Sequence, residues 1–299
     1  MKMTVAENGV LASNKFKSKR AHRSLRPSAM WLVMPGVVFL AVAFVVPLLI
    51  LLSQSFYDEG FTFRYFAMIL ASPSYLAVVW ITLRMAVLAT AATMLLAYPV
   101  SCYLMLAGPA MRSFIMALII IPFWTNILVR CYAWMAILQR RGLVNTFLTD
   151  QIGLIDRPIE MVYNLPGVLI GMTHYLLPPA ILILYSINHN IDLRIVGAAR
   201  SLGASPSRAF RHVFLPLSMP GIRAATMLVL ILSLGFFVIP ALLGGLKDMT
   251  LATLINVQFT ESVDWHFGAA ISMVLLVMTL VGIGVYYQAL SKTKGGKQP

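Results

Sequence analysis

Acidic residues are scarce in this 299-residue chain: ten Asp and Glu stand against 23 Lys and Arg. Charge of either sign is thin, at 11% of residues, while 60% are hydrophobic. Soluble domains carry roughly 25% charged residues. The shortage excludes an ordinary soluble domain and points to a membrane protein. Cysteine is nearly absent too. Cys102 and Cys131 both lie in apolar runs, outside any CxxC or Cys/His cluster, so they read as inert buried thiols. The five histidines, His22, His174, His189, His212 and His266, give no metal-ligand spacing. No G-x-x-x-x-G-K-[ST] phosphate loop is present, so the chain is not expected to hydrolyse ATP. Neither GxSxG nor HExxH occurs, which leaves no catalytic constellation to support an enzyme.

Long apolar runs are what the chain does have. A spanning helix needs about 20 predominantly apolar residues, because the hydrocarbon core is about 30 Å thick. Six segments qualify: Trp31–Leu52, Leu76–Met105, Phe114–Leu138, Gly167–Ile187, Ala224–Leu246 and Phe267–Leu290. The first is too long for a cleaved signal peptide, and no small-residue cleavage site follows it. The expected class is therefore all-α and polytopic, with a six-helix membrane domain over residues 27–290. Residues 1–26 read as a flexible basic cytoplasmic tail able to meet anionic lipid, and residues 291–299 as a second tail.

Lysine and arginine gather on cytoplasmic loops. With the N-terminus inside, the cytoplasmic pieces hold Lys2, Lys15, Lys17, Lys19, Arg20, Arg23 and Arg26, then Arg112, then Arg194, Arg200, Arg208, Arg211 and Arg223, then Lys292, Lys294 and Lys297. Asp58, Glu59, Asp150, Asp156, Glu160, Asp248, Glu261 and Asp264 all fall outside. An even number of spans puts both termini in the cytoplasm. The net charge of +13 is then a topology signal. No folded basic domain remains to bind nucleic acid.

The spans contain no Asp or Glu, which counts against a stand-alone ion-coupled carrier. They contain Pro47, Pro99, Pro122, Pro178, Pro179 and Pro240, read as kinks, some of which could line a path or act as hinges. Arg84 and Arg130 are the intramembrane cations. Arg130 stands near Trp124, Asn126, Tyr132 and Trp134, the candidates for a translocation path. Two readings apply. Aromatic faces hold amines by cation–π attraction. Alternatively, Trp and Tyr form an interfacial belt and Arg130 snorkels outward.

Between the fourth and fifth spans lies "GAARSLGASPSRAFRHVFLP", residues 197–216. It reads as two short helices. Ile195, Ala198, Ala199 and Leu202 form a small apolar face at helical spacing. Gly203 fits a helix C-terminus, and Ser205–Pro206 fit an N-cap and first position. Pro216 and Pro220 are expected to close the second helix before the fifth span. A short helix with a small-residue face on the cytoplasmic side suits docking into another protein's groove.

The spacing of this segment resembles the EAA loop of ABC-importer permeases, E-A-A-x-x-x-G-x(9)-I-x-L-P. Ala198, Ala199, Gly203, Leu215 and Pro216 match in register, Val213 takes the isoleucine place, and Gly197 stands where the glutamate is usual. The glycine removes a charge and puts in doubt any ATPase contact made through that acid. "IPFWTNILVRCYAWMAILQRRGLVN" (121–145), "INVQF" (255–259) and "DWHFGAA" (264–270) are similar to the spermidine/putrescine-type permease subfamily. The resemblance covers most of the chain. It implies the type I ABC-importer permease (MetI-like) fold in a bacterial inner membrane, with an EAA coupling loop over about residues 189–220. It further implies an ABC ATPase dimer, a second homologous permease and an extracytoplasmic solute-binding protein as partners. No cofactor is expected on this chain; ATP and Mg would be used by the ATPase. A polyamine is the expected solute. Another amine, an amino-acid derivative, an organic anion, and a secondary carrier acting alone are the alternatives.

Overall fold

The computed structural model describes residues 27–58 and 60–294, with side chains from Val33 to Gln288 except Glu59. The expected N-terminal tail and Glu59 lie outside the described residues, as does the far C-terminus. The chain divides near Leu49 into two units.

In the first unit, α1 (Pro27–Leu40) runs through a π-helical turn (Ala41–Val45) into α2 (Val46–Ser53). Its described side chains from Val33 to Leu49 are exposed, as a helix needing an apolar surrounding requires.

The second unit begins beyond Leu49. It contains α3 (Arg64–Ala71), α4 (Pro73–Leu106), α5 (Pro109–Phe123), α6 (Ile127–Leu138), α7 (Leu143–Thr146), α8 (Leu165–Asn188), α9 (Leu193–Ser201), α10 (Pro206–Ala209), α11 (Leu215–Leu234), α12 (Val238–Leu243), α13 (Leu251–Thr260) and α14 (Trp265–Lys294). Helices α4, α8 and α11 pack against one another and form the centre. Small residues allow this: Ala89, Ala97, Ala180 and Ala225 are fully buried at the contact. A Cβ on Gly221 of α11 would stand 3.2 Å from Ile187 of α8. Between helices in lipid, close backbone approach replaces the hydrophobic drive as the source of adhesion. Hydroxyls and one amide add polar staples. Tyr98 Oη and Ser218 Oγ are 2.9 Å apart across α4 and α11, and Asn188 Nδ2 donates to Ser101 Oγ at 3.2 Å across α8 and α4.

A second cluster joins α3, α13 and α14 through Tyr65, Ile69, Leu254, Phe267 and Ile271. Tyr65 Oη donates to Asp58 Oδ2 at 2.9 Å. Burial, and then this bond, push the phenol above the ordinary tyrosine value.

Five helices are long and apolar enough to span: Val33–Phe56, Pro73–Leu106, Leu165–Asn188, Pro206–Leu234 and Trp265–Gln288. The third expected span is not one straight helix. It is a pair, α5 and α6, bent by 100° at Trp124–Asn126, and counting it as one span brings the number to six. Pro122 weakens the last turn of α5. Asn126 then caps α6 by accepting Leu128 N–H at 2.8 Å, so a new helix starts in a new direction.

Two further expectations need correcting. Pro216 and Pro220 do not close a helix. The helix that starts at Pro206 continues through both to Leu234, by way of a π-helical turn at Phe210–Phe214. The wide turn ends two residues before Pro216, as the one at Ala41–Val45 ends two residues before Pro47. Its shifted hydrogen bonds remove the need for the N–H that proline lacks. The fifth span therefore does not run from 224 to 246: it begins earlier, ends at Leu234, and is followed by the separate helix α12. The sixth span, Trp265–Gln288, agrees with the expected 267–290, and its helix α14 runs on to Lys294.

Candidate functional site

Helix α9 ends, and α10 begins, where the residue pattern predicts. Asp192 caps its start by accepting Arg194 N–H at 2.9 Å. Gly203 ends it with φ +89°. Gly203 N–H donates to Arg200 O at 3.0 Å and Ala204 N–H to Ala199 O at 3.1 Å, the paired bonds of a Schellman motif. A side chain at that φ is strained, so glycine is required there. Ser205 Oγ then accepts Arg208 N–H at 3.3 Å and starts α10 at Pro206.

Gly197 sits in the middle of α9, and a Cβ there would meet nothing within 4 Å. Ala198 is exposed and Ala199 half-buried, while Leu202 is 90% exposed. Val213, half-buried in the π-helical turn, leads to Leu215 and Pro216 at the head of α11. The seven loop residues are spread over consecutive pieces: Gly197, Ala198 and Ala199 on α9, Gly203 just past its end, Val213 in the π-helical turn, and Leu215 and Pro216 at the head of α11. The buried Tyr98–Ser218 and Asn188–Ser101 bonds lie in α4, α8 and α11, toward this end.

The five path candidates are not one cluster. Asn126 is used as the α6 cap. Trp134 is half-buried and donates Nε1–H to His174 Nδ1 at 3.4 Å. Trp124 is 82% exposed at the bend, and Tyr132 is exposed on α6. Arg130 is half-buried and held at the bend. Its Nη2 donates to Thr125 O at 2.9 Å and Phe123 O at 3.3 Å, satisfying carbonyls freed where α5 ends. Its guanidinium lies 4.7 Å from the centre of the Tyr175 ring. Nε and Nη1 are buried without a hydrogen-bond acceptor, so the ring face is the compensation available to them. Arg130 is therefore the brace of the bend. Tyr175, which also packs edge-on against Phe236, and His174 were not among the expected site residues. Their one sequence signal is a position one turn before Pro178 and Pro179.

At the opposite end of α8 from α9, Asn145 anchors a loop. It is fully buried, donates Nδ2–H to Gln139 O and Ile159 O at 3.1 and 2.9 Å, and accepts Ile159 N–H at 2.8 Å. Nearby Arg140 pairs with Glu160. Residues within 135–141 and 160–164 line a cavity of about 820 Å³ at this end. The apolar groove of about 720 Å³ beside α14, lined by Leu83, Leu230 and Val277 among others, offers no polar group to orient a solute. Among the described residues no three His, Cys, Asp or Glu come together as a metal-binding group.

Comparison with known proteins agrees with this architecture. The profile of the family "Binding-protein-dependent transport system inner membrane component" matches residues 89–293. The spermidine/putrescine transport system permease protein PotB of Haemophilus influenzae is 37% identical over 263 residues, covering 87% of this chain and 90% of that protein. PotB of Escherichia coli K12 is 38% identical over 220 residues, covering 74% of this chain and 80% of its own. Among solved structures, a bacterial ABC transporter that imports the acidic polysaccharide alginate has a chain of the same fold. It gives a TM-score of 0.70 at 17% identity and covers 87% of this chain and 94% of its own. The same transporter, in complex with an alginate pentasaccharide-bound periplasmic protein, gives 0.69. This chain belongs to the family of binding-protein-dependent transport system inner membrane components: it is a multi-pass inner-membrane permease of an ABC importer.

Proposed function

We propose that the chain imports a polyamine of the spermidine/putrescine class, as one of two permeases above an ATPase dimer that uses ATP and Mg. An extracytoplasmic binding protein would deliver the solute. The observation that carries this is the 37% identity to the Haemophilus influenzae permease across nearly the whole of both chains. The basic termini lie in the cytoplasm on the charge distribution, and α9 with Gly203, Val213, Leu215 and Pro216 is the joint to the ATPase. ATP binding closes the ATPase pair and pushes on Gly197–Gly203. The force reaches α11 directly, because α10, the π-helical turn and α11 are one continuous rod. The rod and its partners α4 and α8 then rock, opening the path outward.

The spans offer an amine no carboxylate among the described residues. The exposed faces of Trp124 and Tyr132 are among the groups able to hold a cation, and the second permease would supply the acids. The span cations Arg84 and Arg130 favour an organic anion as the second reading. Arg130, however, already serves two carbonyls and Tyr175.

The test is reconstitution with co-purifying subunits and measurement of binding-protein-dependent ATPase activity with putrescine, spermidine, amino-acid derivatives and organic anions. Stimulation by the polyamines is the expected result; stimulation by an anion alone would replace the solute class. Absence of any co-purifying ATPase would overturn the importer assembly. Gly203→Glu is expected to leave ATP hydrolysis but abolish uptake, and full coupling in that variant would remove α9 from the role.

A further inference from the structure

Behind α9, on the side facing the spans, lies a groove of about 400 Å³. Cys102, Met105 and Leu106 of the last turns of α4 form one wall. Val196 of α9 and Phe210 and Phe214 of the π-helical turn form the other. The groove also takes in the bare face of Gly197, where a Cβ would touch nothing. Leu106 and Phe210 of its lining are exposed, so the groove is open.

Arg200 is the one charged residue in this lining. It forms no ion pair among the described residues, and the sequence from 193 to 247 contains no Asp or Glu. A second cation stands close by. Arg112, on the first turn of α5, donates Nε–H to Leu104 O at 3.2 Å and Nη2–H to Ala107 O at 3.0 Å, which fixes it at the end of α4 beside Met105 and Leu106. An apolar slot at the end of a spanning helix, with Arg200 in its lining, Arg112 beside it, and the neighbouring acid Asp192 held on the amide of Arg194 at the opposite end of α9 from Arg200, fits one chemistry: a hydrocarbon chain joined to an anionic headgroup.

The geometry points to this groove as a binding site for an anionic phospholipid, its acyl chain between α4 and α9 and its phosphate on Arg200. The lipid fills the space that Gly197 leaves open and braces α9 from the membrane side. A push on α9 then meets a packed body. A helix over an empty slot would yield to the same push. The role in coupling rests on the proposed function of α9; the binding itself does not.

The experiment uses the full permease with its co-purifying subunits, in phosphatidylcholine vesicles doped with a phosphatidylglycerol whose acyl chain carries a photoreactive group. Peptides are mapped after irradiation. Adducts are expected on residues 102–106 and 193–214, and about fivefold fewer with the matching photoreactive phosphatidylcholine. Arg200→Gln is expected to bring the phosphatidylglycerol adducts down to the phosphatidylcholine level. Cys102→Trp, which fills the slot and leaves Arg200 in place, should lower both, and Met105→Trp serves the same purpose from the next turn. Equal labelling by the two lipids, or labelling unchanged in Arg200→Gln, would overturn the site. So would loss of labelling whenever the ATPase is bound, since a protein side chain would then be the occupant. Correct labelling together with full coupling in Gly203→Glu would leave the lipid site standing and remove only the role of α9.

Discussion

Asn145 carries more of the local structure than any charge near it. Its amide makes three hydrogen bonds to the backbone at Gln139 and Ile159 while being sealed from solvent. A hydrogen bond of this kind contributes about 1 kcal/mol net, and an orphaned buried partner costs about 1–3 kcal/mol. Asn145→Ala is therefore expected to lower stability by about 2–4 kcal/mol. Limited proteolysis should show faster cleavage between residues 147 and 160 in the variant than in the wild type; an unchanged rate would refute the anchor role. Arg130 teaches the complementary lesson. The sequence marked it as an intramembrane cation in need of a partner, and it does have partners. They are the carbonyls of Phe123 and Thr125 and the ring of Tyr175, and only the bend brings them together. No spacing in the sequence pairs residue 130 with residue 175.

At the scale of an element, α9 is a helix with a weak centre and a fixed end. Gly197 costs a helix interior roughly 0.5–1 kcal/mol relative to alanine. Because a Cβ at that position meets nothing within 4 Å, Gly197→Ala should stabilise α9 without disturbing its neighbours. The expected readout is amide hydrogen exchange within Leu193–Ser201 slowed by about two- to fivefold. Gly203→Ala should do the opposite, since φ +89° is strained for any side chain. Faster exchange in Gly197→Ala would show that the glycine is there to relieve a contact. The end of α9 and the start of α10 were legible, because Gly203, Ser205 and Pro206 each act within a few residues of themselves. The fate of Pro216 and Pro220 was not. Proline is read as a helix stop, yet a widened turn at Phe210–Phe214 carries the helix past both. The same local logic missed the 100° bend between α5 and α6, since an apolar run has the same composition whether straight or broken.

Across the whole molecule, the proposed orientation rests on charge. Sixteen of the 23 basic residues fall on segments assigned to the cytoplasm, and eight of the ten acids on segments assigned outside. In a Cys102→Ala, Cys131→Ala background, a cysteine at Ser207 is expected to react with a membrane-impermeant maleimide in inside-out vesicles alone. One at Asp156 should react in intact spheroplasts alone. The reverse pattern would invert the topology. Many of the outer acids are already engaged: Asp58 with Tyr65, Asp248 with the amide of Gly245, Asp264 with the amide of Phe267, and Glu160 with Arg140. An incoming polycation would meet fewer free carboxylates than the composition implies.

By itself the sequence determined that the chain crosses a membrane, near which residues most of its spans lie, and that one short helix ends at Gly203 and the next begins at Pro206. These follow from hydrophobicity, charge and caps, all of which act over short stretches. Tertiary structure alone decided that α10 to α11 is one rod, that the third span is broken and braced by Arg130 on Tyr175, and that Gly197 opens onto a groove. Each of those depends on two segments far apart in the chain meeting, or on a backbone register that composition does not encode.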